Sequence, residues 1–191
     1  MPQTAVAGSL VLDHVAHFVP DLDAAATAME ALGFVVTPYS AQSTPEGPTG
    51  TANRCVMLEE GYIELLSPIA DTPHARRTRE AMERYRGIHI LALGTPDAEG
   101  EHARLARHGF APLPYVELQR DVEMQDAAMC RAHFGVVRVP PQAMPEGRVQ
   151  FVEQKTPECL WQPRWLAHEN GVTALAGVFV VARDPAAVAA R

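Results

Sequence analysis

Two polar side chains lie inside apolar stretches of this sequence, where we expect little contact with water. Glu64 is flanked by isoleucine and leucine residues, so we expect it to be at least partly buried. A buried carboxylate needs a partner, a metal ion or a proton, which are the conditions of metal or acid–base chemistry. His14 lies in the apolar stretch 10–19. An imidazole there can be a metal ligand or another site residue, or a core histidine hydrogen-bonded to the backbone.

Asn53 and Arg54 precede another apolar stretch and are candidate substrate-binding residues. Arg54 could hold a substrate carboxylate through two parallel hydrogen bonds. It could equally pair with Glu59 or Glu60 on the surface. The cysteines offer no His–Cys arrangement that predicts a nucleophile, and the sequence has neither a phosphate-binding loop nor a dinucleotide fingerprint.

The elements that must position these residues follow a pattern that occurs twice. Each copy has an apolar strand, a Pro-Asp helix start, a helical stretch and a Gly-Phe stop. Pro20 lies 13 residues before Gly33, and Pro96 lies 13 residues before Gly109. A duplicated unit of this size cannot bury its apolar face alone and packs on its twin. A site between the twins would then receive residues from both.

The first unit is predicted over residues 10–68 as a strand, a helix and three further strands. Asp21 or Asp23 can cap the helix, because a short carboxylate accepts from the free N–H groups of a first turn. The later strands are predicted at 35–39, 54–59 and 62–67, and the turn-forming residues 40–52 are predicted to form a mobile loop. A surface helix at 71–86 is expected in the linker, residues 69–86.

The second unit is predicted over residues 87–155, with strands from Ile88 onward and at 116–120, 132–139 and 148–153. Residues 156–191 are expected to begin a third copy, because an apolar strand at 174–183 is followed by Asp184-Pro185 and alanines. This partial unit would belong to a longer chain or pair with another molecule, for example in a dimer. The predicted fold is α+β, with tandem βαβββ units.

Size and composition narrow the class of protein. With 191 residues, 47% of them hydrophobic and 20% charged, the chain resembles an ordinary globular protein with one sizeable core or two small ones. The net charge of −7 disfavours nucleic acids and anionic membranes as partners. We expect no signal peptide and no membrane span. Cys55, Cys130 and Cys159 are odd in number and widely spaced, which suits a reducing cytoplasm better than a disulfide framework.

Three short motifs resemble one superfamily. They are Leu-Asp-His-Val at 12–15, Gly-Thr-Ala-Asn-Arg at 50–54 and Tyr-Ile-Glu-Leu-Leu at 62–66. Together with the tandem βαβββ units, these motifs resemble those of the vicinal oxygen chelate superfamily. That superfamily includes glyoxalase, extradiol dioxygenases and bleomycin-resistance proteins. Residues 10–68 are most similar to the bacterial glyoxalase-like domains. The resemblance is specific for the fold and the location of the site, and it is poor for the substrate.

The resemblance implies a curled mixed sheet that forms a cup, with a metal site built from the first and last strands of each unit. His14 and Glu64 would come from the first unit, and His89 and Glu153 from the second. Two imidazoles and two carboxylates suit a divalent ion such as Zn²⁺, Mn²⁺, Fe²⁺ or Ni²⁺. The metal would polarise two vicinal substrate oxygens as a Lewis acid. Glu64 or Glu153 would be the catalytic carboxylate, acting as a ligand or carrying the proton.

The second unit departs from this pattern. When the copies are aligned on their Pro-Asp pairs, His14 falls on Ile90 rather than on His89. Neighbouring residues of a strand face opposite sides, so His89 reaches the cup only if a glycine or threonine near the strand end adds a β-bulge. On the last strand, Glu153 is predicted to be better placed than Gln154.

Two functions follow as expectations. The first is a metal-dependent lyase, isomerase or dioxygenase that acts on a small oxygenated molecule in the cup. The second is a non-catalytic protein that binds or sequesters a small molecule, such as a drug, on the same fold. The two functions can be distinguished by whether His89 and Glu153 converge on His14 and Glu64. A cup with only two of these groups favours a binding or metal-free pocket. A cytoplasmic homodimer is expected in either case.

Overall fold

In the computed structural model, which describes residues 10–190, eight strands surround one interior and the helices lie outside or across the ends. The strands are β1 Val11–Phe18, β2 Ser40–Thr44, β3 Gly47–Met57, β4 Tyr62–Pro68, β5 Ile88–Gly94, β6 Val116–Glu123, β7 Met129–Arg138 and β8 Arg148–Gln154. The helices are α1 Leu22–Ala31, α2 Pro73–Arg84, α3 Ala98–Arg107, α4 Pro157–Leu160 and α5 Pro185–Ala189, with a 3₁₀ turn at Pro163–Trp165.

The strands form a closed barrel in the order β1-β4-β3-β2-β6-β7-β8-β5, and β5 closes it on β1. The pairs β1/β4 and β5/β8 are parallel, whereas the other pairs are antiparallel. The predicted α+β fold on a curled mixed sheet is therefore confirmed. The order strand, helix, three strands occurs twice along the chain.

Helices α1 and α3 pack on the outside of the barrel. Asp21 accepts from the N–H groups of Asp23 and Ala24, which fixes the start of α1. Asp97 does the same for α3 by accepting from Gly100 N–H. Both helices cover apolar residues that point away from the interior, because neighbouring residues of a strand alternate between its faces.

The interior is apolar at both ends and polar in the middle. Residues from all parts of the barrel, including Phe18, Met57, Ile90 and Val152, form one core. Two segments cover its ends. At the α2 end, Thr72 caps α2 and donates to Thr49 O at 2.5 Å. At the opposite end, which we call the Trp161 end, the indole of Trp161 donates to Leu58 O at 3.0 Å.

Residues 40–52 form β2 and much of β3, so the expected loop there and the expected strand at 35–39 are wrong. The cause is that this hairpin presents polar side chains to the barrel interior and therefore lacks the apolar alternation of an ordinary strand. Gln42 and Thr51, for example, are hydrogen-bonded to each other at 2.9 Å.

The expected strand at 174–183 does not form. Ala174 makes an isolated parallel bridge to Glu60, and residues 175–183 have no strand partner. Phe179 is fully exposed. The helix expected after it is present as α5.

Cys130 and Cys159 form a disulfide bond, contrary to the expectation of reduced cysteines. The two residues are distant in sequence, but α4 folds back on β7 and brings their Cα atoms to 5.8 Å. Cys55 is buried as a free thiol.

No helix within residues 10–190 is both long and apolar enough to cross a membrane.

Candidate functional site

The middle of the barrel holds a small cavity of about 40 Å³ whose wall is largely polar. Both halves of the chain contribute to it. The polar side chains that line it are His14, Gln42, Asn53, Tyr62, Glu64, Gln119, Arg120 and Gln150. Arg120 also lines a larger cavity of about 150 Å³ at the Trp161 end, so the two cavities meet at its guanidinium.

His14 and Asp13 form a hydrogen-bonded pair at this cavity. Asp13 is the extra residue of a β-bulge in β1, between the pairs Leu12↔Leu93 and His14↔Ala92. A bulge re-aims side chains locally, and here it lets Oδ1 of Asp13 accept from Nδ1 of His14 at 2.5 Å. With Nδ1 protonated in this way, the lone pair of the imidazole is on Nε2.

The ring of His14 is held from two further sides. It stacks on Tyr62 with the ring centroids 4.4 Å apart. The amide of Gln154 donates to both carboxylate oxygens of Asp13, at 3.0 and 3.2 Å, and so fixes the acceptor. Both His14 and Asp13 are buried. This is the arrangement in which a carboxylate orients an imidazole and stabilises its protonated form.

Glu64 and Arg120 share Asn53 as a common partner. Asn53 donates from Nδ2 to Oε1 of Glu64 at 2.6 Å, and Arg120 donates from Nη1 to Oδ1 of Asn53 at 2.8 Å. Gln42 adds a second donor to the same oxygen of Glu64 at 3.0 Å. The buried carboxylate and the buried guanidinium therefore balance each other through an amide, which lowers the cost of burying either charge.

Near the cavity, the thiol of Cys55 and the phenol of Tyr62 stay protonated at pH 7, whereas Arg120 stays charged. Burial raises the pKa of the Cys55 thiol to about 11. Burial, together with the nearby carboxylates of Asp13 and Glu64, raises the pKa of Tyr62 well above its usual value. Burial opposes the charge on Arg120, but the neighbouring Cys55, Tyr62 and Glu64 outweigh it and raise its pKa. The cavity thus has one permanent cation next to a phenol and a thiol that stay protonated.

His89 and Glu153 do not join His14 and Glu64. The ring of His89 stacks between Phe18 and Tyr85 at the α2 end, with centroids 4.6 Å from each. Its Nδ1 accepts from Phe18 N–H and its Nε2 donates to Tyr85 O, both at 3.1 Å, so neither nitrogen is left for a ligand. Glu153 faces outward, where Oε2 accepts from Ala98 N–H at the start of α3.

Strand register explains both placements. His89 is itself the extra residue of a bulge, between the pairs Ala16↔Ile90 and His17↔Ile88, rather than being turned inward by a bulge near Gly94. On β8, the inward residues have even numbers, so Gln150 and not Glu153 lines the cavity. Gln154, which was expected to be the less well placed residue, contacts the site through Asp13.

The predicted substrate-binding pair is also divided between the two faces of β3. Asn53 points inward to the cavity. Arg54 points outward, donating to Asp23 Oδ1 at 2.7 Å and to Thr37 O at 3.3 Å. The ion-pair partner of Arg54 is therefore Asp23 on α1, where Glu59 or Glu60 was expected.

The donors present do not fit the four-ligand metal centre that the superfamily implies. Ala16 pairs with Glu64 and Ala92 pairs with Gln150, so Gln150 occupies in the second half the place of Glu64 in the first. Ile90 takes the place of His14. Within residues 10–190, no three His, Cys, Asp or Glu side chains are grouped to hold a metal. The groups that remain are the imidazole of His14, the carboxylate of Glu64 and the neutral amide of Gln150. Oε1 of Glu64 already accepts hydrogen bonds from two amides.

Several site residues were not predicted from the sequence, namely Asp13, Gln42, Gln150 and Gln154. Asp13 stands next to His14, but strand alternation assigns adjacent residues to opposite faces unless a bulge intervenes. Gln42 lay in a stretch read as a loop. Nothing in the sequence near Arg120 shows that its partner is Asn53, which lies in the other half of the chain.

Comparisons with known proteins support the fold. The chain has 19% identity to a hypothetical protein from Staphylococcus aureus (TM-score 0.59), and the match covers 77% of this chain and 60% of that one. The chain therefore spans less than two thirds of that protein. Methylmalonyl-CoA epimerase from Streptomyces coelicolor matches at 19% identity over 78% of this chain and 97% of its own (TM-score 0.55). The epimerase from Mycobacterium tuberculosis matches at 19% over 81% and 95% (TM-score 0.55).

At these identities the structural matches show the fold alone. No curated protein matches the sequence. The family model of the glyoxalase-like domain matches residues 12–191, which is nearly the whole chain. The chain therefore belongs to the glyoxalase-like domain family, within the vicinal oxygen chelate superfamily.

Proposed function

We propose that this protein is an enzyme that transfers a proton on a small carbonyl compound, with His14 as the base and without a metal ion in the step. The observation that carries this proposal is the Asp13–His14 pair, whose ring lines a cavity that also contains Arg120. The reaction class is an isomerase or a lyase. A dioxygenase is not proposed, because the cup does not present the ligands that such chemistry needs on a metal.

The proposed step begins with removal of a proton from the carbon next to a carbonyl group. Nε2 of His14 takes that proton, and Asp13 stabilises the imidazolium that forms. The electron pair of the broken C–H bond moves onto the carbonyl oxygen. Arg120 is buried and permanently charged, and the negative charge of an enolate is strongly stabilised by a preorganised cation in such a site. Return of the proton to another position completes an isomerisation.

The two cavities indicate how a substrate would lie. The central cavity has room for only a few atoms, whereas the cavity beyond Arg120 is about 150 Å³ and is bordered by Met57, Leu160 and Trp165. A substrate with its carbonyl at Arg120 would place its reacting carbon toward His14 and its apolar body toward Trp165. Glu64 is held by two amides and is assigned to orient Asn53 and Arg120 rather than to carry the proton.

The test is exchange of carbon-bound hydrogen in D₂O, followed by proton NMR over a panel of small ketones, hydroxyketones and 2-oxo acids. Wild type is expected to exchange at least one compound, and His14→Ala is expected to lose about 10²-fold or more of that rate. His17→Ala is the matched control, because His17 is on the same strand but does not line the cavity. An exchange rate that is unchanged by His14→Ala would overturn the proposal.

The second candidate is a non-catalytic protein that binds a small molecule. The observation that favours it is that Glu64, Asn53 and Arg120 already satisfy one another, as in a pocket with no reaction to perform. A compound that binds with micromolar affinity and exchanges no carbon-bound hydrogen would support the binding function. The support would be stronger if His14→Ala binds the compound as tightly as wild type does.

A further inference from the structure

Three arginines gather at the α2 end of the barrel, away from the proposed catalytic cavity. Arg77 is on α2, Arg138 is the last residue of β7 and Arg148 is the first residue of β8. Arg138 and Arg148 are partly buried. The guanidinium of Arg148 lies over the ring of Phe18, 5.5 Å from its centroid. Three cations of this kind create a strongly positive region inside an otherwise acidic protein.

The ion pairs formed among residues 10–190 include none of the three arginines. Burial, followed by the charges of Arg138 and Arg77, lowers the pKa of Arg148 to about 10. Burial and Arg77 also lower the pKa of Arg138. A buried cation without a counter-charge is costly, so an anion bound there would relieve both desolvation and repulsion.

Two other titratable side chains of α2, His74 and Glu80, lie near this region. His74 on α2 has a pKa lowered to about 4 by burial and by Arg148, Arg138 and Arg77, so it is neutral at pH 7. Glu80, on the exposed side of α2, borders the same cleft. Glu64 favours the charged form of Arg148 from across the barrel, but it is engaged by Asn53 and Gln42.

A cleft of about 200 Å³ opens beside Arg148, with Arg77 and Arg84 on its wall. Arg84 is partly occupied, because it donates to Pro145 O at 2.7 Å. The remaining wall is mostly apolar, with Phe18, Tyr85 and Met144. The cleft therefore combines converging guanidiniums with a surface suited to an organic group, at a volume below that of a drug-sized pocket.

We propose that this cleft is a second ligand site, which binds a small organic phosphate with its phosphate group between Arg77 and Arg148. A phosphate is preferred to a carboxylate because several arginines converge, and a doubly charged tetrahedral anion can accept from more than one guanidinium. The organic part of the ligand lies against Phe18 and Tyr85. This proposal does not depend on the activity proposed for His14.

The test measures binding of inorganic phosphate, phenyl phosphate and benzoate by isothermal titration calorimetry, and thermal unfolding with and without each compound. The variants are Arg148→Gln and Arg77→Gln. Arg76→Gln is the matched control, since Arg76 is the neighbouring residue on α2 and is exposed and paired with Asp71 at 2.7 Å. Sodium chloride at matched ionic strength controls for screening.

Phenyl phosphate is expected to raise the melting temperature of wild type by about 3 °C or more near saturation. We expect it to bind at least about 10-fold more tightly than benzoate, and Arg148→Gln and Arg77→Gln to weaken it by about 10-fold or more. Arg76→Gln should bind it as wild type does. Arg148→Gln should be about as stable as wild type in phosphate-free buffer, because removal of an unpaired charge offsets the loss of its contact with the Phe18 ring.

Three results would overturn the proposal. The first is that wild type binds neither phosphate. The second is that sodium chloride at matched ionic strength raises the melting temperature as much as phenyl phosphate does. The third is that benzoate binds as tightly as phenyl phosphate. If Arg148→Gln fails to fold, Arg77→Gln decides the outcome, because Arg77 is exposed on its helix and its loss leaves the packing of the barrel intact.

Discussion

Gln154 and Asp13 are joined across the barrel by two hydrogen bonds, from one amide nitrogen to both carboxylate oxygens, at 3.0 and 3.2 Å. One residue is in the last strand and the other in the first, 141 positions apart. Because Asp13 in turn holds His14, the orientation of the proposed base depends on both halves of the chain.

This relationship predicts a graded effect of substitutions around His14. Asp13→Asn retains the shape but turns the acceptor into an amide, and it should reduce hydrogen exchange by about 10²–10⁴-fold. Gln154→Leu keeps the Asp13–His14 bond and should reduce exchange by about 10-fold or less. The measurement is the exchange rate in D₂O. An Asp13→Asn enzyme as fast as wild type would show that the carboxylate does not assist His14.

Asn53 is predicted to be the most sensitive polar residue for stability. Asn53→Leu leaves both Glu64 and Arg120 buried without their shared partner, and should lower the free energy of unfolding by about 3 kcal/mol. Urea denaturation measures this change. Arg54→Leu is the control from the adjacent position, and it should lower the free energy of unfolding by less than about 1 kcal/mol, because the carboxylate that it pairs with, Asp23, is largely exposed. Equal losses in both variants would contradict the shared role of Asn53.

The cluster at the α2 end predicts a pH dependence of stability. The pKa of His74 is lowered to about 4 in the folded protein, below the ordinary value of 6.5, so the unfolded chain binds the proton more readily. Stability should therefore fall as the pH drops from about 6.5 to about 4, by about 2 kcal/mol from this residue. His74→Gln should remove that part of the decline in phosphate-free buffer. Identical pH profiles for the two proteins would refute the assignment.

The disulfide bond predicts a redox-dependent stability. Reduction of Cys130–Cys159 releases a connection that spans 29 residues, and should lower the free energy of unfolding by about 3 kcal/mol. The measurement is denaturation with and without dithiothreitol. Thiol titration of the unfolded, non-reduced protein should detect the single thiol of Cys55. Detection of three thiols there would show that the bond does not form.

More of the fold than of the candidate site could be predicted from the sequence. The paired Pro-Asp helix starts and the apolar strands that precede them made the α+β fold predictable, since both depend on local propensity and pattern. The hairpin residues 40–52 were not predictable in this way, because several of them turn polar side chains toward the cavity instead of following an apolar alternation. His14 and Glu64 could be named as site candidates because polar residues in apolar surroundings require partners, and Asn53 because it precedes an apolar strand.

The rest of the site depends on strand register, which a sequence without a partner strand does not display. On β8, a register that differs by one residue from the predicted one directs Gln154 inward instead of Glu153. Gln154 therefore contacts Asp13, and the predicted metal ligand Glu153 faces away from the cavity. Bulges at Asp13 and His89 decide which of the two histidines reaches the cavity. The grouping of Arg77, Arg138 and Arg148 likewise appears only when α2 is placed across the end of the barrel.

Proton transfer by His14 without a metal is tested by hydrogen exchange with metal-depleted protein. Wild type is dialysed against EDTA, its metal content is measured by mass spectrometry, and exchange of the best compound is followed before and after addition of Zn²⁺, Mn²⁺, Fe²⁺ or Ni²⁺. We predict that the exchange rate of the depleted protein equals that of untreated protein and is unchanged by any metal. Loss of exchange on depletion, with recovery on addition of one equivalent of metal, would show that the proton transfer requires a metal ion.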